Sequence, residues 1–149
     1  MDLRHWPLYG LRLRTPRLEL RLPGPELLDE PALMGRDFGV RREVETGSRL
    51  GLPHQGRGFG TEMRAAALHL AFAELGARYA VSAAMTDNPR SLGVSRRLGC
   101  ADDGLDTGVV RGAPVTLRRL RLDRARWEAH RSVDVTVEGL DACRAEFGV

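Results

Sequence analysis

From Gln55 to Thr61 the chain reads Gln-Gly-Arg-Gly-Phe-Gly-Thr, and its strongest helical pattern starts inside that run. Met63, Ala66, Ala67, Leu70 and Ala71 recur at the spacing of one helix face, and Leu68, Phe72 and Leu75 add a second apolar stripe. Gly76 stands where a left-handed residue ends a helix, which predicts a helix over Phe59–Leu75. Apolar around most of its circumference, it is expected to lie against a sheet. Upstream, 43–52 reads as a strand broken at Pro53. Strand, glycine turn and helix in that order leave the first N–H groups of the helix, and the positive end of its dipole, open to a ligand. That is an anion site, most often for phosphate. A turn with no ligand would use the same glycines.

The remaining elements follow from period and punctuation. Leu18, Leu20 and Leu22 alternate with charged residues, predicting one strand over 11–22 that Pro23-Gly24-Pro25 ends. A broken helical fragment around Glu26 to Met34 and a loop over Gly35 to Gly39 come next. Tyr79 to Met85 fits a buried strand, and Asp87-Asn88-Pro89 opens a helix expected to stop at Gly99. Strands near Asp102 to Val110 and Val115 to Leu122 follow, with an alternation slip at Arg118-Arg119 that suggests a bulge. Arg124 to Arg131 reads as helix, and Val133 to Val149 is ambiguous. The order implies a single α/β (α+β) domain of 149 residues.

Composition removes whole classes of chemistry. All 23 basic residues are Arg, so a Walker phosphate loop and Schiff-base catalysis are excluded. The dinucleotide fingerprint fails as well, because Thr61 stands where its third glycine belongs. With 20 acidic residues interspersed and no basic-aromatic stripe, the Arg surplus does not indicate nucleic acid. Cys100 and Cys143 are too few and too far apart for a disulfide scaffold or a metal site. No apolar run reaches membrane-span length and no signal-peptide core is visible, so the expected location is cytoplasmic.

Three motifs then converge. Gln55 to Gly60 resembles the Gln/Arg-x-x-Gly-x-Gly/Ala signature of the GNAT superfamily of acyl-CoA N-acyltransferases. Asn88-Pro89-Arg90-Ser91, through Val94 to Leu98-Gly99, is similar to a second helix of that superfamily. Leu13-Arg14-Thr15-Pro16-Arg17-Leu18 resembles the first strand of its ribosomal-protein alanine acetyltransferase (RimJ/RimL) branch. Gln55 and Asn88 are the only Gln and the only Asn in the chain, and both fall at motif positions.

The resemblance implies a mixed central sheet flanked by helices, acetyl-CoA as co-substrate and an amine acceptor such as a protein N-terminus or small molecule. It implies pyrophosphate on the backbone of Gln55, Gly56, Arg57, Gly58, Phe59, Gly60 and Thr61, and pantetheine along Leu50 and Leu52. Asn88 would bond the cofactor amide, and Ser91 the pantetheine or the departing thiolate. Glu45 is the candidate base, acting through water, with Glu43 as the alternative; a solvated strand carboxylate is the plain reading of either. Ser95 occupies the place of a tyrosine acid found in many members, and Asn88 would also serve simply as a helix cap. His54 borders the turn as an exposed polar residue.

The family places two helices and a hairpin between its first and fourth strands, whereas 23–42 offers twenty residues here. Average helices of ~11 residues and strands of ~5 need more than that. Most of the acceptor-side wall is therefore expected to be missing, leaving a first strand (10–22), a short segment (23–42), a CoA-binding core (43–122) and a C-terminal extension (123–149). The Arg17–Leu22 strand is expected to pair directly with the Glu43–Leu50 strand. An uncovered face or edge would favour a homodimer.

Overall fold

The computed structural model describes residues 5–21, 33–47 and 54–149. Its main sheet has five strands in the order β3-β4-β5-β7-β6, formed by Leu33–Met34 (β3), Glu43–Thr46 (β4), Tyr79–Met85 (β5), Ala101–Val110 (β6) and Ala113–Asp123 (β7). Only β4 and β5 run parallel, as a strand-helix-strand crossover requires; every other pair is antiparallel. The crossover is α2, Phe59–His69, continued by a π turn at Leu70–Glu74. Ala66, Leu68, Ala71 and Phe72 are almost wholly buried, so the predicted helix spends its apolar stripes as expected. Gly76 follows at φ +71°.

Helix α3, Pro89–Arg97, lies on the same side of the sheet as α2, as the Arg64–Ser95 bond between them shows. Beneath them β4 and β5 point Val44, Thr46, Ala80, Ser82 and Ala84 inward, joined by Leu120 and Leu122 of β7. The alternate residues face away, and there Glu45, Tyr79, Ala83 and Met85 are exposed. Among the described residues one face of the main sheet is thus covered, and several residues of the other are exposed.

A second sheet was not foreseen. The expected single strand over 11–22 is instead a hairpin of β1 (Arg12–Arg14) and β2 (Glu19–Arg21), because Thr15-Pro16 turns the chain and the Thr15 N–H bonds the Leu18 carbonyl at 2.9 Å. The far edge of β1 is taken by β8, Thr136–Glu138, from the C-terminal segment. The expected pairing of Arg17–Leu22 with Glu43–Leu50 therefore does not form: β2 is committed to β1, and β4 pairs with β3. Leu22 and 48–50 lie outside the described residues, as does most of the predicted Glu26 to Met34 helix, whose last two residues are β3. The predicted loop at Gly35 to Gly39 runs into a short helix α1, Phe38–Arg41.

The bulge sits where the alternation slips, but its extra residue is on the neighbouring strand. Asp102 pairs with Leu120 and Leu105 with Arg118, so Asp103 and Gly104 together oppose Arg119, whose guanidinium bonds the Asp103 carbonyl at 2.9 to 3.0 Å. Helix α4, Arg124–His130, is capped by Asp123, and a 3-10 segment at Asp141–Phe147 buries Cys143. Among the described residues no helix is long and apolar enough to cross a membrane.

Candidate functional site

Because β4 and β5 are parallel, both helices that follow them begin at the same end of the sheet, where open α/β sheets bind ligands. Pairing between the two strands covers only Glu43–Glu45 against Tyr79–Val81. Beyond Val81, β5 pairs with β7 alone among the described strands, beside the two helix starts.

Gly56 and Gly58 adopt φ +77° and +80°, a conformation that disfavours side chains. Gly58 is the N-cap of α2 and, having no side chain, supplies no cap bond, so among the described residues the first N–H groups of the helix are available to an anion. Arg90 of α3 donates to the Gln55 amide oxygen at 3.3 Å, tying the turn to the second helix. Asn88 caps α3 by accepting the Ser91 N–H at 3.2 Å, and both residues are half-buried at the mouth. Leu50 and Leu52 lie outside the described residues.

Arg17 carries a role not anticipated. It reaches from the β1–β2 turn to the glycine loop, donating to the Arg57 carbonyl at 2.9 Å and lying 4.7 Å over the Phe59 ring. A Cβ on Gly58 would stand 3.2 Å from its guanidinium. Glu62, on the first turn of α2, holds this arginine through its Nε at 2.6 Å and its backbone N–H at 3.1 Å, and accepts the Thr15 hydroxyl as well. Burial alone would raise the Glu62 carboxyl; the bonds from Thr15 and Arg17 outweigh it and hold the group below its ordinary value. The sequence signal was Thr15-Pro16-Arg17 itself, but nothing local tied it to the loop.

Deeper, Arg64 is 3% exposed and donates to Ser95 Oγ at 2.7 Å and Thr46 Oγ1 at 3.3 Å. No carboxylate pairs with it among the described residues. Burial lowers its affinity for a proton, with partial relief from the Cys100 sulfur, while burial pushes the Cys100 thiol up. Ser95 is 1% exposed and is engaged by this arginine. A buried hydroxyl in that setting fixes α3 to α2 instead of facing the mouth.

Glu45 lies on the sheet face opposite to that of Val44 and Thr46 and lines a cavity of about 430 Å³ with Glu43, Arg41 and Val81. Glu43 is neutralised by Arg41 at 2.9 Å and Arg121 at 3.8 Å. Glu45 has no ion pair among the described residues, which leaves it the freer carboxylate for a cation or a water. His54 is exposed, and among the described residues no cluster of metal-ligating side chains forms.

Residues 32–101 match the sequence model of the acetyltransferase (GNAT) domain. The structure is similar to that of a probable acetyltransferase, with 26% identity and a TM-score of 0.57 over 59% of this chain and 51% of that one. It also resembles spermidine N-acetyltransferase from Vibrio cholerae, solved with CoA and spermine, at 18% identity and a TM-score of 0.56 over 60% of this chain and 54% of that one. The same enzyme in a dodecameric form gives 19% and 0.55 over 60% and 53%. The chain thus spans about half the length of the structures it matches. The architecture is the mixed α/β fold of the GNAT acetyltransferases, a central sheet flanked by helices.

Proposed function

We propose that this protein is an N-acetyltransferase that passes the acetyl group of acetyl-CoA directly to a primary amine. The observation that carries the reading is the uncapped start of α2 at Gly58, set beside the Asn88-capped start of α3 where β4 and β5 stop pairing. What supports a pyrophosphate here is that Gly56 and Gly58 hold positive-φ conformations that disfavour a side chain, at the start of a helix without a side-chain cap.

In this reading the backbone of Gln55 to Thr61 holds the pyrophosphate, that of Leu50 and Leu52 the pantetheine, and the Asn88 amide group the cofactor near its sulfur. Glu45, through a water, takes the proton as the amine nitrogen bonds the acetyl carbon. The carbon–sulfur bond breaks and the thiolate receives a proton from the Ser91 side. Positioned acid and base groups contribute typically ~10² to 10⁴ each, with orientation and backbone donors supplying the rest. The proposal extends to a single domain over 1–149, shortened ahead of β4, in the RimJ/RimL branch, cytoplasmic and forming homodimers.

A second reading has an observation of its own. Glu45, Tyr79, Ala83 and Met85 are exposed on one sheet face, and an acceptor side with little covering among the described residues suits a CoA-binding module that has lost catalysis. Calorimetry with acetyl-CoA and CoA comes first, and absence of binding at ~1 mM sinks both readings. Thiol release with an amine panel that includes spermidine, an amino sugar and a peptide N-terminus then separates enzyme from module. Gly58→Trp is expected to abolish binding, since its side chain would meet Arg17 and fill the anion cradle. Unchanged affinity in that variant would move the cofactor elsewhere.

A further inference from the structure

A second cavity, of about 840 Å³, lies between α2 and the small sheet, with α4 and the segment leading into β8 as its remaining wall. That is within the ~300 to 1,000 Å³ typical of small-molecule pockets. Its floor is apolar: Ala65 and Leu68 of α2, Leu98 after α3, and Val135. Its charged lining is lopsided, with Arg14, Arg97 and Arg131 against the single acid Asp134. Arg14 is already neutralised by Glu19 at 2.9 Å and Glu138 at 2.7 Å.

Arg97 and Arg131 are different. The Arg97 Nε bonds only the Gly93 carbonyl, at 3.3 Å, and Arg131 rests 5.1 Å over the Trp127 ring. Neither has a carboxylate partner among the described residues, and both are exposed at the rim. Two arginines without a carboxylate partner among the described residues line one cavity with apolar side chains, which matches a molecule with an apolar body and an acid group, because the planar fork of arginine pairs with a carboxylate through two parallel bonds.

We propose that this cavity binds a small aromatic or aliphatic carboxylate, its body on Leu68 and Leu98 and its acid group on Arg97 and Arg131. The N-terminal hairpin and the C-terminal segment close the site over α2 and the end of α3: Arg14, Arg131 and Val135 lie outside the residues that match the acetyltransferase domain, and Ala65, Leu68, Arg97 and Leu98 lie within them. It also touches Thr61, so a ligand here leans on the helix that begins at the glycine loop.

The test is calorimetry on the full chain with 2-naphthoate, and with 2-naphthalenemethanol as its neutral counterpart, each with and without saturating CoA. The acid is expected to bind at least ~10-fold tighter than the alcohol, the fold-change of a charge-assisted hydrogen bond. Arg97→Glu and Arg131→Glu should each weaken naphthoate by ~10-fold or more while lowering the thermal midpoint by only about 2 to 4 °C, the shift expected for the loss of one surface contact. Ala65→Phe, which fills the floor, should remove binding as well. Naphthoate affinity is expected to be the same in the presence of CoA. Absence of naphthoate binding at ~5 mM, or equal affinity for acid and alcohol, overturns the proposal. Competition by CoA overturns it too, since the cavity would then belong to the CoA site.

Discussion

Glu62 keeps its charge in a place where burial works against it, and the residues that make this possible come from another part of the chain. Its carboxyl lies below the ordinary value near 4.5 because Thr15 and Arg17 bond the ionised form. A depressed carboxyl stabilises the fold above the unfolded value, and that contribution disappears as pH falls through the folded one. Arg17 is 47% exposed, so the pair is partly screened, and Glu62→Gln is expected to cost about 1 to 2 kcal/mol at pH 7. Urea unfolding of both proteins from pH 7 downward checks this: the gap should hold above the ordinary carboxyl value and narrow progressively as pH falls below it. A gap that stays constant with pH would assign the effect to packing. Arg64 makes a different prediction. Its guanidinium is buried with hydroxyl partners and no carboxylate among the described residues, so Arg64→Ala, which leaves a void and unpartnered Ser95 and Thr46, is expected to cost about 3 kcal/mol. Arg64→Met keeps the stem and removes the buried charge, and should cost about 1 kcal/mol or less by the same urea measurement.

At the scale of elements, α3 allows its cap and its proposed ligand role to be separated. Asn88 uses its side-chain oxygen to accept the Ser91 N–H, and in the proposed function its amide nitrogen is the group that would meet the cofactor. Asn88→Ala should cost about 1 kcal/mol of stability and acetyl-CoA affinity together. Asn88→Asp keeps the acceptor oxygen, so its thermal midpoint should match the parent while acetyl-CoA affinity falls by roughly 10-fold through the lost donor. If affinity is unchanged in the Asp variant, Asn88 is a cap alone. The elements legible in the sequence were those whose signals are complete within a few residues. The glycine turn, the two apolar stripes of α2 and the Asn88-Pro89 start of α3 each carry their own start or stop. The hairpin was missed because the expected single strand spans a change of phase: Leu11 and Leu13 fall at odd positions before Thr15-Pro16, and Leu18, Leu20 and Leu22 at even ones after it. Strand β8 was missed because its partner is far away in sequence, as the bond from Arg14 to Glu138 shows. The same distance hid Arg17, Glu62 and Arg64, whose roles exist only once α2 meets the hairpin and α3. The bulge was placed at the right level on the wrong strand, since an alternation slip in β7 reports a mismatch with β6 without saying which strand holds the extra residue.

At the scale of the whole molecule, the sequence suggests a core with an appendage at its C-terminus, while the structure folds that appendage inward. Strand β8 completes the small sheet, setting Val137 opposite Leu13, and Leu140 and Cys143 are buried in the main core. Arg144 reaches back to the Glu74 carbonyl at 2.9 Å, at the end of the π turn. The C-terminal segment thus braces α2 at one end while the hairpin it pairs with grips the glycine loop at the other through Arg17. Removing 132–149 takes away β8 and exposes Leu13 and the surface vacated by Leu140 and Cys143. Large-to-small changes at single core positions already cost about 2 to 5 kcal/mol, so the loss of several at once should consume most of the ~5 to 15 kcal/mol that holds a domain folded. The truncated chain is expected to lose a cooperative urea transition, and hydrogen exchange should show α2 losing protection from its π turn forward. A truncated protein with the parent midpoint and intact acetyl-CoA affinity would make the small sheet peripheral, and the glycine loop would then have to hold its shape without the hairpin that reaches it.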